Sequence, residues 1–375
     1  MRVGFVALTD AAPLIVAEQL GLYRERGLQV SLHKQASWPA VRDALLADEL
    51  DAAHCLFSLP LSVALGVSGR QEQSLIVAMV LNANGQAVTL GLPLAEGAGR
   101  DPAAAMAGVA AYHRRRPLTL AVTYPGGTHD VWLRYWLAAA GIDPAEVGII
   151  PIPPAQMVAN LRGGTMDGFS AGEPWSALAV MVGAGFTAAG SHQILPGHPE
   201  KALVVTEAAL RRERGQVREL MGATLNACRW LDVEENRPQA AQMLAAPHYV
   251  NAPAGVIAER LSGPFELGAH LGVARLSWSE RVRFHDGGRV NAPSRGSALW
   301  FIAQFRRLGL LRGGDSRDRQ IVERLIAREL YEEVARGEGI PISEPDMQRF
   351  SVPLDGATFD PAEPRLEAAR PITGR

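Results

Sequence analysis

Apolar residues in the first part of the chain fall into short runs that alternate with segments of helical periodicity. The runs have the length of β-strands and cover Val3–Leu8, Gln29–His33, Ala52–Phe57 and Leu75–Leu81. Between them, apolar positions recur as on one face of a helix, over Ala11–Leu20 and Ala40–Ala47. Such alternation is typical of an open α/β sheet whose two faces are covered by helices.

A second series of strands and helices follows a Gly- and Pro-rich segment at 92–102. The pattern predicts strands over Leu118–Thr123 and Val147–Ile152, and helices over Thr128–Ala140 and from Pro154 onward. Ala202–Thr206 has the apolar run of a strand that returns to the first sheet, and the remainder of the chain is mainly helical.

Together the two series predict a two-lobed clamshell of the α/β class. We expect residues 1–92 to begin lobe 1, residues 93–201 to form an inserted lobe 2, and residues 202–375 to complete lobe 1 and end in a wrapping tail. Ligands of open α/β sheets bind outside the carboxyl ends of the strands, so both lobes should direct those ends at one interlobe cleft.

The composition of the 375 residues narrows the classes of function. Lys and Arg number 37 against 39 Asp and Glu, a formal net charge of −2, so no basic surplus points to nucleic acid as a direct ligand. Cys55 and Cys228 lie far apart in apolar segments, which indicates two buried thiols. The sequence shows no nucleophile elbow, Walker loop, zinc-protease motif or dinucleotide-binding fingerprint, so we expect no enzyme activity.

The N-terminus bears on where the protein works. Met1 is followed directly by the first strand, without a charged and then apolar leader, so we expect a cytoplasmic protein. A leader trimmed from a longer precursor is the alternative. The longest apolar stretch, at 174–190, is interrupted by Pro, Ser and Gly and is too short to span a bilayer. No membrane association is therefore expected.

The segment 124–130 carries the sharpest local signal for a ligand site. Its glycines, Gly127 among them, allow close backbone approach, and Thr128 is a good N-cap for the helix that follows. The start of that helix offers N–H groups and a positive dipole end to an anion, and His129 could donate to the same anion. A plain strand–turn–helix with an exposed histidine is the alternative.

Three further side chains stand near the predicted strand ends. Trp38 could stack on a planar ligand or donate its N–H, although a core tryptophan fits the same pattern. Gln86 offers an amide, in what could also be a surface turn. Lys201 could neutralise an anion, whereas a lone lysine is ordinarily solvated.

In combination, these segments resemble the nitrate- and bicarbonate-binding proteins of cyanobacterial and proteobacterial uptake systems. The resemblance covers most of the chain and depends on the order and spacing of the segments, since no single one is specific. They are GFVALTDAAPL at 4–14, ASW at 36–38, LNANGQ at 81–86, PGGTHD at 125–130, PPAQMV at 153–158, GEPW at 172–175 and HPEKA at 198–202.

The resemblance implies a C-clamp fold of the periplasmic-binding-protein type, with the ligand pocket between the lobes. Bicarbonate-binding relatives carry an acidic residue near the position of the HPEKA lysine and use calcium. The lysine found here therefore indicates the nitrate type, for which no metal and no cofactor are expected. The positions that the resemblance implies as ligand contacts are Trp38, Gln86, His129, Pro154 and Lys201. From the start of the helix after 124–127, the backbone N–H of Gly127 is expected to join them.

Nitrate is planar, singly charged and a weak acceptor on three oxygens. We expect Lys201 and a protonated His129 to neutralise the anion, while Gln86 and backbone N–H groups fix its plane. On this hypothesis, binding weakens as the pH rises above the pKa of His129.

Because its sequence shows no recognisable leader, the chain resembles the cytoplasmic nitrate/nitrite sensor of the NasS type more than the exported members of the family. That resemblance implies a protein that holds an RNA-binding antiterminator of the NasT type and releases it when nitrate or nitrite binds. The first alternative is the substrate-binding component of a nitrate or bicarbonate transporter, or such a domain of its ATPase subunit. The second is a clamp-fold enzyme of thiamine-pyrimidine synthesis with pyridoxal phosphate on a lysine, although no phosphate-binding cluster accompanies Lys201.

Overall fold

Strands and helices alternate along the part of the chain that the computed structural model describes, residues 1–67, 74–314, 316–342 and 345–372. The strands are β1 Arg2–Val6, β2 Ser31–Gln35, β3 Ala52–Leu56, β4 Leu75–Ala83, β5 Gln86–Gly91, β6 Thr119–Val122, β7 Gly148–Pro151, β8 Gly168–Gly172, β9 Gly185–Gly190, β10 Pro199–Thr206, β11 Phe265–Glu266, β12 Val273–Ala274, β13 Phe350–Val352 and β14 Ala357–Phe359. The α-helices are α1 Ala12–Gln19, α2 Leu22–Glu25, α3 Trp38–Leu46, α4 Leu59–Ala64, α5 Pro102–His113, α6 Thr128–Ala139, α7 Met157–Arg162, α8 Trp175–Met181, α9 Glu207–Arg212, α10 Arg214–Leu231, α11 Arg237–Leu244, α12 Ala254–Ser262, α13 Arg295–Arg307, α14 Asp318–Leu325, α15 Arg328–Gly337 and α16 Pro364–Ala368. None of the helices in these ranges is long and apolar enough to cross a membrane.

Two five-stranded sheets form the centres of two lobes. The first has the order β2-β1-β3-β10-β4, in which β2, β1 and β3 are parallel and β10 is antiparallel to β3 and β4. The second has the order β7-β6-β8-β5-β9, in which β7, β6 and β8 are parallel and β5 is antiparallel to both neighbours. Every residue of β3 and β4 is buried, which explains their nearly continuous apolar sequence. The two-lobed α/β fold predicted from the sequence is confirmed.

The chain crosses between the lobes at points that differ from those expected. β5 belongs to the second sheet, so the first crossing lies at Asn84 and Gly85 rather than near residue 92. β10 belongs to the first sheet and carries Lys201, so the return crossing comes before Pro199. The sequence pattern does not reveal this, because a two-residue link between apolar strands looks like an ordinary hairpin turn.

Asn84 ties the two crossing segments together. Its Oδ1 accepts a hydrogen bond from the backbone N–H of Gly197, in the return crossing, at 2.9 Å. Its Nδ2 donates to the carbonyl oxygens of Ser279 and Arg281, each at 3.0 Å. The φ of Asn84 is 61°, a left-handed conformation that asparagine tolerates better than most residues. The NGQ segment is thus a buried connection between lobes and not a surface turn.

The C-terminal helices complete lobe 1. α10 packs against α1 and α15, and α16 packs against α13. The buried face of α10 includes Leu220, Leu225, Cys228 and Leu231, at helical spacing. Cys55 and Cys228 are both buried and free, as predicted.

Candidate anion-binding site

The candidate site lies where the carboxyl ends of strands from both sheets meet. Trp38 begins α3 after β2, His129 lies in the first turn of α6 after β6, and Pro154 follows β7. Lys201 reaches the same edge from β10, because β10 is antiparallel and Lys201 pairs with Leu56, the last residue of β3. Sheet topology therefore brings residues that are far apart in sequence to one interlobe cleft.

Lys201 is at the centre of the site, and its side chain is fully buried. Its Nζ lies 2.8 Å from Oδ2 of Asp10, 3.0 Å from Oε1 of Glu200 and 3.3 Å from Nε2 of His129. The same Nζ is 5.8 Å from the centre of the Trp38 ring, within the range of a cation–π contact. A buried ammonium is stable only with such partners. Lys201 is therefore a buried site residue and not a solvated surface lysine.

A β-bulge allows the adjacent residues Glu200 and Lys201 to face the same cluster. Successive side chains of a regular strand point to opposite faces of the sheet. In β10 the register shifts between Pro199, which pairs with Ala83 of β4, and Lys201, which pairs with Asn82. Glu200 is the extra residue of this irregularity, and its carboxylate turns toward the ammonium beside it.

Sequence reasoning misses Asp10, which lies in the turn after β1. Its Oδ1 is 2.9 Å from Nε2 of His54, and its Oδ2 accepts a hydrogen bond from Nε2 of Gln86 at 3.1 Å. Gly172 leaves the space that this contact needs, since a Cβ there would lie 3.1 Å from Oδ2 of Asp10 and 3.2 Å from Oε1 of Gln86. The signal that points to Asp10 is its position in the turn that follows a parallel strand.

Glu200 connects the lobes, because its carboxylate belongs to lobe 1 and two of its donors belong to α6. Oε1 accepts from the Thr128 hydroxyl, and Oε2 accepts from Nε1 of Trp132 at 2.9 Å. The prediction that Thr128 is an N-cap is wrong: Gly127 is the N-cap of α6, and Thr128 is its first helical residue. Thr128 lies one residue inside the helix, and its hydroxyl instead donates a charge-assisted hydrogen bond to the buried carboxylate.

Further hydrogen bonds hold the lobes in contact around the site. The N–H of Thr9 in lobe 1 donates to the carbonyl oxygen of Glu173 in lobe 2 at 2.7 Å. The hydroxyl of Ser58 in lobe 1 donates to the carbonyl oxygen of Gly126 in lobe 2 at 2.9 Å. These contacts, together with those of Glu200, define a closed clamp.

Trp38, Gln86 and His129 all join the cluster around Lys201. The Trp38 ring centre lies 5.3 Å from that of His54, and its buried Nε1 has no hydrogen-bond partner among the described residues. Nδ1 of His129 is 2.5 Å from the Thr123 hydroxyl oxygen, which leaves Nε2 directed at Lys201. Oε1 of Gln86 is also buried without a partner in the described part of the chain. A tryptophan N–H that is buried and unpaired is available to a bound acceptor.

Gly127 and Pro154 lie at the same edge of the cleft, outside the hydrogen-bond network of the cluster. The N–H of Gly127 donates to the carbonyl oxygen of Tyr124 at 3.0 Å, so this donor is already used within the turn. A Cβ at Gly127 would lie 2.6 Å from Cδ1 of Leu56 and 3.0 Å from the carbonyl oxygen of Tyr124, so packing favours glycine there. Pro154 is buried and starts a single 3₁₀ turn, and no described hydrogen bond joins it to the cluster.

Burial and the charge of Lys201 set the protonation of the cluster. Although burial opposes ionisation, the charge of Lys201 and the hydrogen bond with His54 hold the pKa of Asp10 well below its usual range. Burial raises the pKa of Glu200 against the attraction of Lys201. Burial, followed by repulsion from Lys201, lowers the pKa of His129 well below its usual value. The structure therefore favours a neutral His129, which corrects the expectation of a protonated one.

The arrangement suits a small anion. A buried ammonium, an amide, an indole N–H and an imidazole converge from two lobes that close on each other. Within the described ranges, no group of three or more His, Cys, Asp or Glu side chains is placed to hold a metal ion. Fold and site together define a two-lobed solute-binding protein. A family model described as the NMT1-like family matches residues 1–245, and the chain belongs to that family.

Similar proteins match nearly the whole chain. It is 32% identical over 375 residues to the nitrate/nitrite binding protein NrtA of Synechocystis sp. PCC 6803, which covers 97% of this chain and 83% of that protein. It is 33% identical over 366 residues to the nitrate import ATP-binding protein NrtC of the same organism, with 97% of this chain and 54% of that protein covered. The chain thus spans about half the length of NrtC.

A comparison with solved structures also finds a nitrate-binding protein. The crystal structure of the periplasmic nitrate-binding protein NrtA from Synechocystis PCC 6803 matches with a TM-score of 0.91 and 31% identity. The match covers 98% of this chain and 97% of that structure. The resemblance to nitrate- and bicarbonate-binding proteins, found from sequence segments, is confirmed.

Proposed function

We propose that this chain binds nitrate or nitrite between its lobes, as the solute-binding component of an uptake system. The observation that carries the proposal is Lys201, a fully buried ammonium surrounded by hydrogen-bonding groups of both lobes. The similar protein NrtA is named for binding nitrate and nitrite, which supports the choice of ligand.

The geometry provides for a planar, singly charged oxyanion. Lys201 supplies the positive charge, and the Trp38 indole N–H supplies a neutral donor that is unpaired among the described residues. The Gln86 amide nitrogen, which donates to Asp10, is a second neutral donor. Charge-assisted hydrogen bonds in a buried site are stronger than the same bonds in water. Micromolar affinity requires about 8 kcal/mol, which a few such bonds can provide.

Binding and closure are linked in this proposal. The anion contacts Lys201 from lobe 1 and His129 from lobe 2, so it binds the closed clamp better than the open one. A ligand with that preference shifts the population toward closure. A transporter or a regulatory partner can then distinguish the two forms by shape.

Uptake is the better supported of the two cellular roles. The names of the similar proteins refer to nitrate binding and nitrate import, and one of them is an ATP-binding component. The sensor role, with an antiterminator of the NasT type and a cytoplasmic location, remains a separate proposal. Co-purification of the two proteins with and without nitrate tests it: a complex that nitrate dissociates supports sensing, and no complex in either condition contradicts it.

Isothermal titration with nitrate, nitrite and bicarbonate, with and without calcium, tests the ligand. Lys34 and Lys201 are the only two lysines of the sequence, so Lys34→Ala is a matched control for Lys201→Ala. Lys34 is exposed, and its Nζ contacts only a backbone carbonyl oxygen among the described residues, that of Pro247 at 3.3 Å. We expect metal-independent nitrate or nitrite binding that Lys201→Ala abolishes and Lys34→Ala preserves. Calcium-dependent bicarbonate binding, or no anion binding, would contradict the proposal.

The small number of lysines also allows a direct spectroscopic test. Protein labelled with ¹⁵N-lysine carries two side-chain ammonium groups, at Lys34 and Lys201. Addition of nitrate should shift the signal of the buried Lys201 and leave that of Lys34 in place. A titration that moves neither signal would show that the anion binds elsewhere.

A further inference from the structure

The described charges around Lys201 carry an excess of negative charge before any anion binds. One ammonium lies within 3.0 Å of oxygen atoms from two carboxylates, Asp10 and Glu200. Both carboxylates are buried, so solvent does not screen them. A bound anion adds a third negative group to a cluster that already has a full complement of counter-charge.

Asp10 uses the same donors that a planar oxyanion would use. Its carboxylate is planar, and one oxygen, Oδ2, contacts both Nζ of Lys201 and Nε2 of Gln86, at 2.8 and 3.1 Å. It reaches them from the first turn of lobe 1, and its other oxygen is held by His54. Asp10 therefore acts as an internal ligand of the two donors.

The groups that face this cluster supply little further positive charge. Burial lowers the pKa of His54 and of His129, and it lowers that of His198 to about 3. The charge of Glu173 is matched by Arg260, with 3.2 Å between their nearest atoms. The titratable and charged side chains around the cluster include His54 from β3, His129 from α6, Glu173 after β8 with its partner Arg260 from α12, His198 before β10 with His192 and Arg283 beyond it, and Glu200 and Lys201 from β10. Asp130 of α6 is paired with Arg134 of the same helix and adds no net charge.

We propose that Asp10 is a counter-ion that competes with the bound anion for Lys201 and Gln86, so that each nitrate or nitrite binds together with one proton. The inference rests on the proposed function and specifies how that site maintains its charge balance. The proton offsets the charge of the bound anion, so the cluster of Lys201, Asp10 and Glu200 keeps the net charge that it has without ligand. Binding then weakens by up to about tenfold for each unit of pH increase.

Isothermal titration of the native protein with sodium nitrate in two buffers at one neutral pH counts the protons. HEPES and Tris differ in ionisation enthalpy, and the apparent binding enthalpy changes with that enthalpy in proportion to the protons taken up. We expect about one proton per anion. A count of zero with nitrate binding intact overturns the inference and leaves the proposed function standing. Absence of nitrate binding removes the proposed function itself.

Two variants test whether Asp10 and Glu200 cause the uptake of a proton on nitrate binding. The double variant Asp10→Asn/Glu200→Gln removes both negative charges, so we expect a proton count near zero and an affinity independent of pH. Asp10→Asn alone should bind nitrate more tightly than native protein at the alkaline end of the range. Asp51→Asn is the control, because Asp51 pairs with Arg2 at the other end of the same sheet, and native values are expected. A full proton in the double variant would overturn the assignment.

Discussion

Two buried ion-pair systems lie close together in this protein, and they differ in charge balance. Glu173 and Arg260 form a one-to-one pair, with Oε1 of Glu173 3.2 Å from Nη1 of Arg260. Nη2 of Arg260 also donates to the Thr187 hydroxyl oxygen at 3.1 Å, and the guanidinium lies over the Phe265 ring at 3.8 Å. This pair fixes α12 on lobe 2, against α8.

The Lys201 cluster has one ammonium between two carboxylates and depends on protons for its balance. A balanced pair suits a permanent contact, since neither charge needs to change. An unbalanced cluster responds to a third charge, and that response is what an anion-binding clamp uses. The Glu173–Arg260 pair therefore belongs to the scaffold, and the cluster of Lys201, Asp10 and Glu200 belongs to the anion-binding site.

The largest expected effect comes from removal of each cation. Arg260→Met leaves Glu173 buried without its counter-charge, so the free energy of unfolding should fall by roughly 3–5 kcal/mol. Lys201→Met should lose stability on a similar scale, because Asp10 and Glu200 keep no cation. Only Lys201→Met should also lose nitrate binding. Urea unfolding and isothermal titration of both variants measure the two quantities. Loss of nitrate binding in a folded Arg260→Met protein would contradict the assignment to the scaffold.

The next effect is the response of stability to acid, which the histidines of the Lys201 cluster should dominate. Burial lowers the pKa of His198 to about 3, below its unfolded value of about 6.5. A lowered histidine pKa gives stability that is full above about pH 6.5 and is lost as the pH falls toward the folded value, by about 1.4 kcal/mol per pH unit.

Denaturant unfolding over a pH series checks this slope. His198→Gln should reduce the loss of stability between about pH 6.5 and 3. His33→Gln, at an exposed position of the edge strand β2, is the control and should keep the native slope. An unchanged slope in His198→Gln would mean that other groups control the acid response.

The sequence predicts the scaffold better than it predicts the cluster. Periodicity gives α6 as Thr128–Ala140, against Thr128–Ala139 in the structure, because its apolar positions follow one helical face. The second strand was expected over Gln29–His33 and lies at Ser31–Gln35, since an exposed edge strand has a weak pattern.

The candidate site also contains residues that the sequence predicts and residues that it does not. Trp38, Gln86, His129 and Lys201 are found through segments shared with a family, and the structure brings them together. The roles of Asp10 and Glu200 could not be predicted from the sequence. Asp10 meets Lys201 only because β1 and β10 lie in one sheet, and Glu200 faces the cluster only because of a β-bulge. Burial of charge is a property of the tertiary structure, so local pattern does not report it.

A smaller effect should follow from removal of the Trp38 indole N–H. Trp38→Phe keeps an aromatic ring near Lys201 and removes a donor that is unpaired among the described residues, so nitrate affinity should fall about tenfold. Trp136→Phe is the control, because Trp136 is equally buried with an unpaired Nε1 but lies farther along α6. It should lose stability without losing affinity. Equal affinities for the two variants would remove Trp38 from the list of ligand donors.

The smallest expected effect compares one hydroxyl from each system. Thr128→Ala removes a hydrogen bond that joins α6 to Glu200 across the lobes, so part of the free energy of closure is lost. One such bond is worth about 1 kcal/mol, which corresponds to a roughly fivefold weaker nitrate affinity if the anion binds the closed form. Thr187→Ala removes a comparable bond to Arg260, which retains its ion pair with Glu173. Its nitrate affinity should therefore equal that of native protein in isothermal titration, with the loss confined to stability. If both variants weaken nitrate binding equally, the two systems act as one unit in closure, and the distinction between scaffold and binding cluster no longer holds.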